Sequence, residues 1–174
     1  ATASACDALL SGDIEISSNV ADGTTNVNVG GVCGKSGMLT AGCHAEWTES
    51  AHVKIASDRS NFGGVTGLTQ AESNYAFLVG CYALCKGRVE IEPKNGTDYT
   101  ANAGGIAGTL ANSTIAGCTV KAKNIYGHNA SSPSLIGVSG IAAYVVGVSS
   151  VSDCKAYATL IRNSTVLGTE DASV

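Results

Sequence analysis

Charge is scarce in this chain of 174 residues: 14% are Asp, Glu, Lys or Arg, against about 25% in an ordinary globular domain. Ten basic residues face fourteen acidic ones, for a net charge of −4. Neutralising a nucleic-acid backbone takes a field of Lys and Arg, so no nucleic-acid partner is expected. Aromatic residues make up 5% and prolines number 2, which poorly supplies a wide sandwich core. No stretch approaches the ~18 consecutive apolar residues of a spanning helix, so no membrane insertion is expected. The opening ATASACDALL has no basic stretch followed by an apolar run, so no export signal is read in this chain. Disorder is not expected either, because 44% of the residues are hydrophobic and the net charge is low.

Glycine and cysteine are plentiful, at 22 and 7. Five of the cysteines, Cys6, Cys43, Cys81, Cys118 and Cys154, lie 37, 38, 37 and 36 residues apart. Two positions after them stand Ala8, Ala45, Ala83, Val120 and Ala156, all small and apolar. Three repeats then share an apolar–charged–isoleucine triplet: Ile14-Glu15-Ile16, Val53-Lys54-Ile55 and Val89-Glu90-Ile91. A second series, VGGVCG, FGGVTG, AGGIAG and VSGIAA, carries Gly31, Gly64, Gly105 and Gly140 at intervals of 33, 41 and 35. Self-similarity at a fixed period of this length marks a repeat architecture, with length variation confined to loops. Leu68–Gly80 is the longest departure and has room for one helical turn.

Within each repeat the period is two. Cysteine and the small residue alternate with polar or larger residues such as His44 and Glu46, Tyr82 and Leu84, or Lys155 and Tyr157. That pattern predicts a half-buried strand. The glycine segments supply a second strand and the triplets a third, joined by Asn/Asp/Gly/Ser turns such as VADGTTN, SDRSN, PKNGTD and GHNASSPS. Each repeat is then one rung of a coil. The expected fold is all-β, a single parallel β-solenoid of about five rungs of some 37 residues, with like residues stacked at ~4.8 Å. Residues 1–27 form a divergent first repeat or cap, 28–160 the regular repeats, and 161–174 a tail or cap.

Those residues resemble the GLUG motif. GGIAGTLANSTIAGCTVKA (Gly104 to Ala122) matches its pattern of paired glycines, an aliphatic residue, a further glycine and a T-I-x-x-C-x-aliphatic ending. GGVCGKSGMLTAGCHAEW, SGIAAYVVGVSSVSDCKAYA, and GGVTG with VGCYALC look like degenerate copies. The resemblance implies a secreted or surface-anchored bacterial protein, adhesin-like and part of a longer polypeptide. It assigns no catalytic residue.

The cysteine ladder is expected to be a column of reduced core thiols; disulfides between neighbouring rungs are the alternative, since rung spacing suits the Cα separation but not the required dihedral. Zinc needs ligands around a point, and a ladder spreads them along a line, so no metal or other cofactor is expected. Cys43 and His44 fall on opposite faces of a strand, which separates a nucleophile from a base. His44, His52 and His128 share no ligand spacing. A carbohydrate-cleaving β-helix would need carboxylates converging in a groove. Here Asp13, Asp22, Asp58, Asp98 and Asp171 sit singly at turns, and Glu15, Lys54 and Glu90 read as an outward charge ladder. No catalytic residue is therefore assigned. The candidate ligand-binding residues are Tyr82, His44 and Tyr157, all on outward positions, with glycans or matrix proteins as partners. Trp47 points inward by parity. The expected role is a non-catalytic, extracellular adhesin-like or spacer module; the alternative is a carbohydrate-active module on the same scaffold.

Overall fold

The cysteine–alanine alternation and the isoleucine triplets do form strands. The computed structural model describes residues 2–17, 26–57, 59–71, 75–92, 100–128 and 135–164, and among these it contains strands and no helix. In chain order the strands are β1 (Thr2–Ser4), β2 (Asp7–Leu10), β3 (Asp13–Ser17), β4 (Val27–Gly30), β5 (Cys33–Ser36), β6 (Leu39–Ala41), β7 (His44–Trp47), β8 (His52–Ala56), β9 (Ser60–Gly63) and β10 (Thr66–Gln70). They continue as β11 (Ala76–Val79), β12 (Tyr82–Glu92), β13 (Thr100–Gly104), β14 (Ala107–Ala111), β15 (Ser113–Ala116), β16 (Thr119–His128), β17 (Leu135–Ser139), β18 (Ala142–Val146), β19 (Ser150–Ser152) and β20 (Lys155–Ser164).

Four parallel sheets wrap these strands into a solenoid. Sheet A stacks β1-β6-β11-β15-β19, and sheet B stacks β2-β7-β12-β16-β20 with β3 and β8 in the same sheet. Sheet C stacks β4-β9-β13-β17, and sheet D stacks β5-β10-β14-β18. The result is a parallel β-solenoid of about three turns. A count of about five rungs is not established. Two sheets hold four strands each, and three links that would close individual rungs, residues 18–25, 93–99 and 129–134, lie outside the described residues. Most of the predicted turn segments fall in those links.

Two expectations need correction. Three strands per repeat become four faces, because the paired glycines do not sit within one strand: Gly31-Val32, Gly64-Val65 and Gly105-Ile106 are corners between sheets C and D. The helical turn expected in Leu68–Gly80 is absent from its described part, where Leu68 to Gln70 complete β10 and Ala76–Val79 form β11.

Register explains the repeats. Ala8, Ala45, Ala83, Val120 and Ala156 pair in succession across sheet B, as do Ile14, Val53, Val89 and Ile125. Ala45, Ala83, Val120, Val53, Val89 and Ile125 fill an interior with Ile55, Leu78, Ile91, Ile106, Leu110 and Ile115, all essentially inaccessible, while Ala8 and Ile14 are half-buried and Ala156 is exposed at the ends. One aromatic pair packs inside the solenoid. Trp47 and Phe62 lie buried with ring centroids 5.2 Å apart, and the Trp47 indole N–H donates to the Gly64 carbonyl at 3.0 Å.

Candidate functional site

The corner before sheet B positions the cysteine ladder. The residue preceding each ladder cysteine is left-handed: Ala5, Gly42, Gly80, Gly117 and Asp153 have φ of 49°, 58°, 60°, 62° and 53°. This kink turns the next side chain inward, so Cys43, Cys81 and Cys118 are buried, while Cys6 and Cys154 are half-buried at the ends. All seven cysteines are free thiols. Several ladder thiols donate to carbonyls of sheet A at 3.5 Å, including Cys81 to Thr40 and Val79 and Cys118 to Leu78 and Ala116. A hydrogen bond from the Cys118 thiol lowers Cys81 to about 7, and the same bond, with burial, raises Cys118. Off the ladder, burial alone pushes the Cys85 thiol up to about 12, and burial likewise raises Cys33. Each ladder thiol therefore sits as a small core side chain on a carbonyl acceptor.

Gly31, Gly64 and Gly105 stack at the C–D corners, where the Gly31 N–H donates to Gly64 O at 3.2 Å and the Gly64 N–H to Gly105 O at 3.1 Å. A Cβ on Gly105 would meet the Gly140 carbonyl and lie 2.7 Å from Val120 Cγ2; one on Gly64 would lie 2.7 Å from Ala83 Cβ. These glycines thus admit the small-residue column of sheet B, and a left-handed φ is not what requires them.

The outer face of sheet B carries the chemistry. One outward column runs Asp7, His44, Tyr82, Thr119, Lys155, and the next runs Leu9, Glu46, Leu84, Lys121, Tyr157. His44 and Tyr82 do come together, with ring centroids 5.0 Å apart, and His44 Nδ1 lies 3.6 Å from the Asp7 carboxylate. Tyr157 does not join them. It lies in the neighbouring column, two strands further along, and is 56% exposed. Cys43 and His44 are on opposite sides of the wall, one buried and one outward.

Glu15, Lys54 and Glu90 stand in one column, in register. Glu90 is bound by its neighbours: Arg88 forms an ion pair with it, and His52 Nε2 lies 3.3 Å away. Glu46 takes a 2.7 Å bond from Lys86, which raises Lys86 above its usual value. Glu46 and Glu90 on this face are therefore each held by a neighbouring cation. Asp22, Asp58, Asp98 and Asp171 lie outside the described residues, as does the side chain of His128.

Two features escaped sequence reading. The first is a register shift in β12 between Cys85 and Arg88, beside which an open groove of about 680 Å³ runs across successive strands. Leu84, Lys121 and Tyr157 line it together with Lys86, Lys123 and Glu49. The second is an asparagine ladder between sheets C and D. Asn61 donates to Asn28 at 2.9 Å, Asn102 donates to Asn61 at 3.1 Å, and Thr109 donates to Asn61 at 2.6 Å. Its signal was present: Asn28, Asn61 and Asn102 each stand three residues before a ladder glycine.

No family model, curated protein or solved structure matches the chain.

Proposed function

We propose that the protein is a non-catalytic, adhesin-like binding module of a bacterial surface protein, built from GLUG-like repeats that make about five rungs of one stiff stalk. Its ligand in this reading is an acidic glycan lying along the outer face of sheet B. The observation that carries it is the groove of about 680 Å³ lined by Lys121, Lys123 and Tyr157, in which Lys86 is held by Glu46, and Glu49 is the one carboxylate among the described lining residues. Ammonium groups suit carboxylate or sulfate on a polysaccharide. An exposed tyrosine offers a flat apolar surface with a polar tip for a sugar ring. Leu84 adds an apolar floor, and a groove that crosses strands at ~4.8 Å intervals suits a linear repeating polymer better than a compact molecule. His44 and Tyr82 extend the same face by one column.

The test is a binding screen of the purified chain against arrayed acidic and neutral glycans and matrix proteins, with product analysis of any bound polysaccharide. The expected outcome is saturable, salt-sensitive binding to acidic glycans without cleavage, weakened about tenfold by Lys121→Glu and similarly by Tyr157→Ala. Cleavage products would replace this reading with the carbohydrate-active one. Binding indifferent to both substitutions would remove the groove from it.

A further inference from the structure

The two ends of the solenoid are complementary. At the N-terminal end, β2 is the last strand of sheet B and leaves Asp7 and Leu9 at the head of the two outward columns. At the C-terminal end, β20 leaves Lys155 and Tyr157 at the foot of the same columns. Continuing the stack by one more strand would place Asp7 beside Lys155 and Leu9 beside Tyr157. The acidic residue at the head of the first column thus meets a basic residue at its foot. Leu9 is 73% exposed and Tyr157 56%, so the apolar member of the junction is open on both sides as well.

The inward columns and the backbone match too. Cys154 and Ala156 would meet Cys6 and Ala8, the pairing that every interior rung already repeats. Across the existing rungs, the residue after each ladder cysteine donates its N–H to the preceding rung's cysteine carbonyl: His44 to Cys6 at 2.8 Å, Tyr82 to Cys43 at 2.9 Å, Thr119 to Cys81 at 2.9 Å and Lys155 to Cys118 at 2.9 Å. The same rule supplies an Asp7 N–H to the Cys154 carbonyl across a junction. The left-handed residues donate the other way, as in Ala5 to Ala41 and Gly117 to Ser152, which gives Asp153 N–H to Ser4 O. Beside this edge Tyr144, Val145, Val146, Val148 and Val151 are each more than two-fifths exposed.

We infer that a second copy of this chain stacks its β1–β2 end on the β19–β20 end of the first, head to tail, continuing the parallel ladders of sheets A and B. Such a contact is heterologous and does not close on itself, so the product is a linear rod of copies. This inference concerns the ends; it shares Tyr157 with the groove but does not rest on the glycan reading.

Sedimentation velocity over a concentration series, with electron microscopy of the largest species, tests it on the full chain. The expected result is a set of rods that lengthen with concentration. Two charge-reversed chains, D7K and K155E, put like charges opposite each other in any homotypic junction, which is destabilising. Each should assemble about tenfold more weakly alone, whereas an equimolar mixture restores assembly, because every mixed junction pairs opposite charges. Recovery on mixing also shows that both chains are folded. A chain that stays monomeric throughout overturns the inference. So do rods unaffected by either reversal, or reversed chains that fail to recover when mixed.

Discussion

Gly80 and Gly105 both stand at corners, yet an added side chain would harm them for different reasons. Gly80 has a φ of +60° and no heavy atom within 4 Å of where its Cβ would lie. Alanine there suffers backbone strain alone, about 1 kcal/mol, or about 3 °C in Tm for a chain of this size. At Gly105 a Cβ runs into the Gly140 carbonyl and Val120, where backbone and packed core must both move. Gly105→Val should therefore cost about 3 kcal/mol or more. Thermal melts of the two variants check the order, and equal shifts would show that the C–D corner is not closed by the glycine. The thiols give a pH test at the same scale. Cys85 is raised from 9.0 to about 12 by burial, so from pH 9 to 12 the unfolded chain has released a proton that the folded chain still holds. Stability has its full value below pH 9 and declines by about 1.4 kcal/mol per pH unit for that proton as pH rises toward 12. Urea titrations between pH 8 and 10.5 should show a shallower decline in Cys85→Ala; an unchanged slope would place the thiol in contact with water.

Elements are held in register by side chains that stack on their own kind. Asn61 makes three hydrogen bonds in the C–D layer, to Asn28, Asn102 and Thr109, and both Asn61 and Asn102 are buried. Asn61→Ala strips a partner from the buried Asn102 amide, the buried Thr109 hydroxyl and the half-buried Asn28, and should cost about 3 kcal/mol. Asn28→Ala, at the end of the ladder, should cost less, and chemical denaturation of the pair measures the difference. If both cost the same, the ladder does not act through burial. This layer shows which parts of the fold were legible in the sequence. Stacking forces like residues into columns, so Cys43-Cys81-Cys118 and Gly31-Gly64-Gly105 were plain from their spacing, and period-two alternation put Trp47 inside. Asn28, Asn61 and Asn102 were spaced just as regularly but the ladder went unread, with Asn61 placed in the turn segment SDRSN, because asparagine is rarely buried unless it finds another amide. The split of each glycine segment into two strands was hidden for a similar reason: its corner uses Gly-Val or Gly-Ile, not turn chemistry. Of the candidate site, His44 and Tyr82 were legible as neighbours in one column. The groove beside Lys86 was not, since it follows from a register shift in β12 that no periodicity announces.

A stack of rungs contacts itself only through nearest neighbours, so its stability is a sum along one axis and its ends are its weakest part. Burial has that gradient along the inward columns: Cys43, Cys118, Val53, Val89 and Ile125 are at most 1% exposed, whereas Cys6, Ile14 and Cys154 at the ends are only partly buried. Amide hydrogen exchange at low protein concentration should accordingly be slowest in β8, β12 and β16 and faster in β1, β2, β18 and β19, where opening needs no interior rung to separate. Core truncations should follow the same profile. Ile91→Ala removes a fully buried side chain with rungs on both sides and should cost about 3–4 kcal/mol. Ile14, only partly buried against the core, has a rung on one side and should lose about half as much on conversion to alanine. Uniform protection along the chain would mean that the molecule unfolds as one cooperative block. A gradient that flattens only as protein concentration rises has a different cause, because the interior rungs already have both neighbours and only the terminal strands can gain one. Protection gained selectively at β2 and β20 would then report the same strand pairing that fills the interior, formed between two molecules.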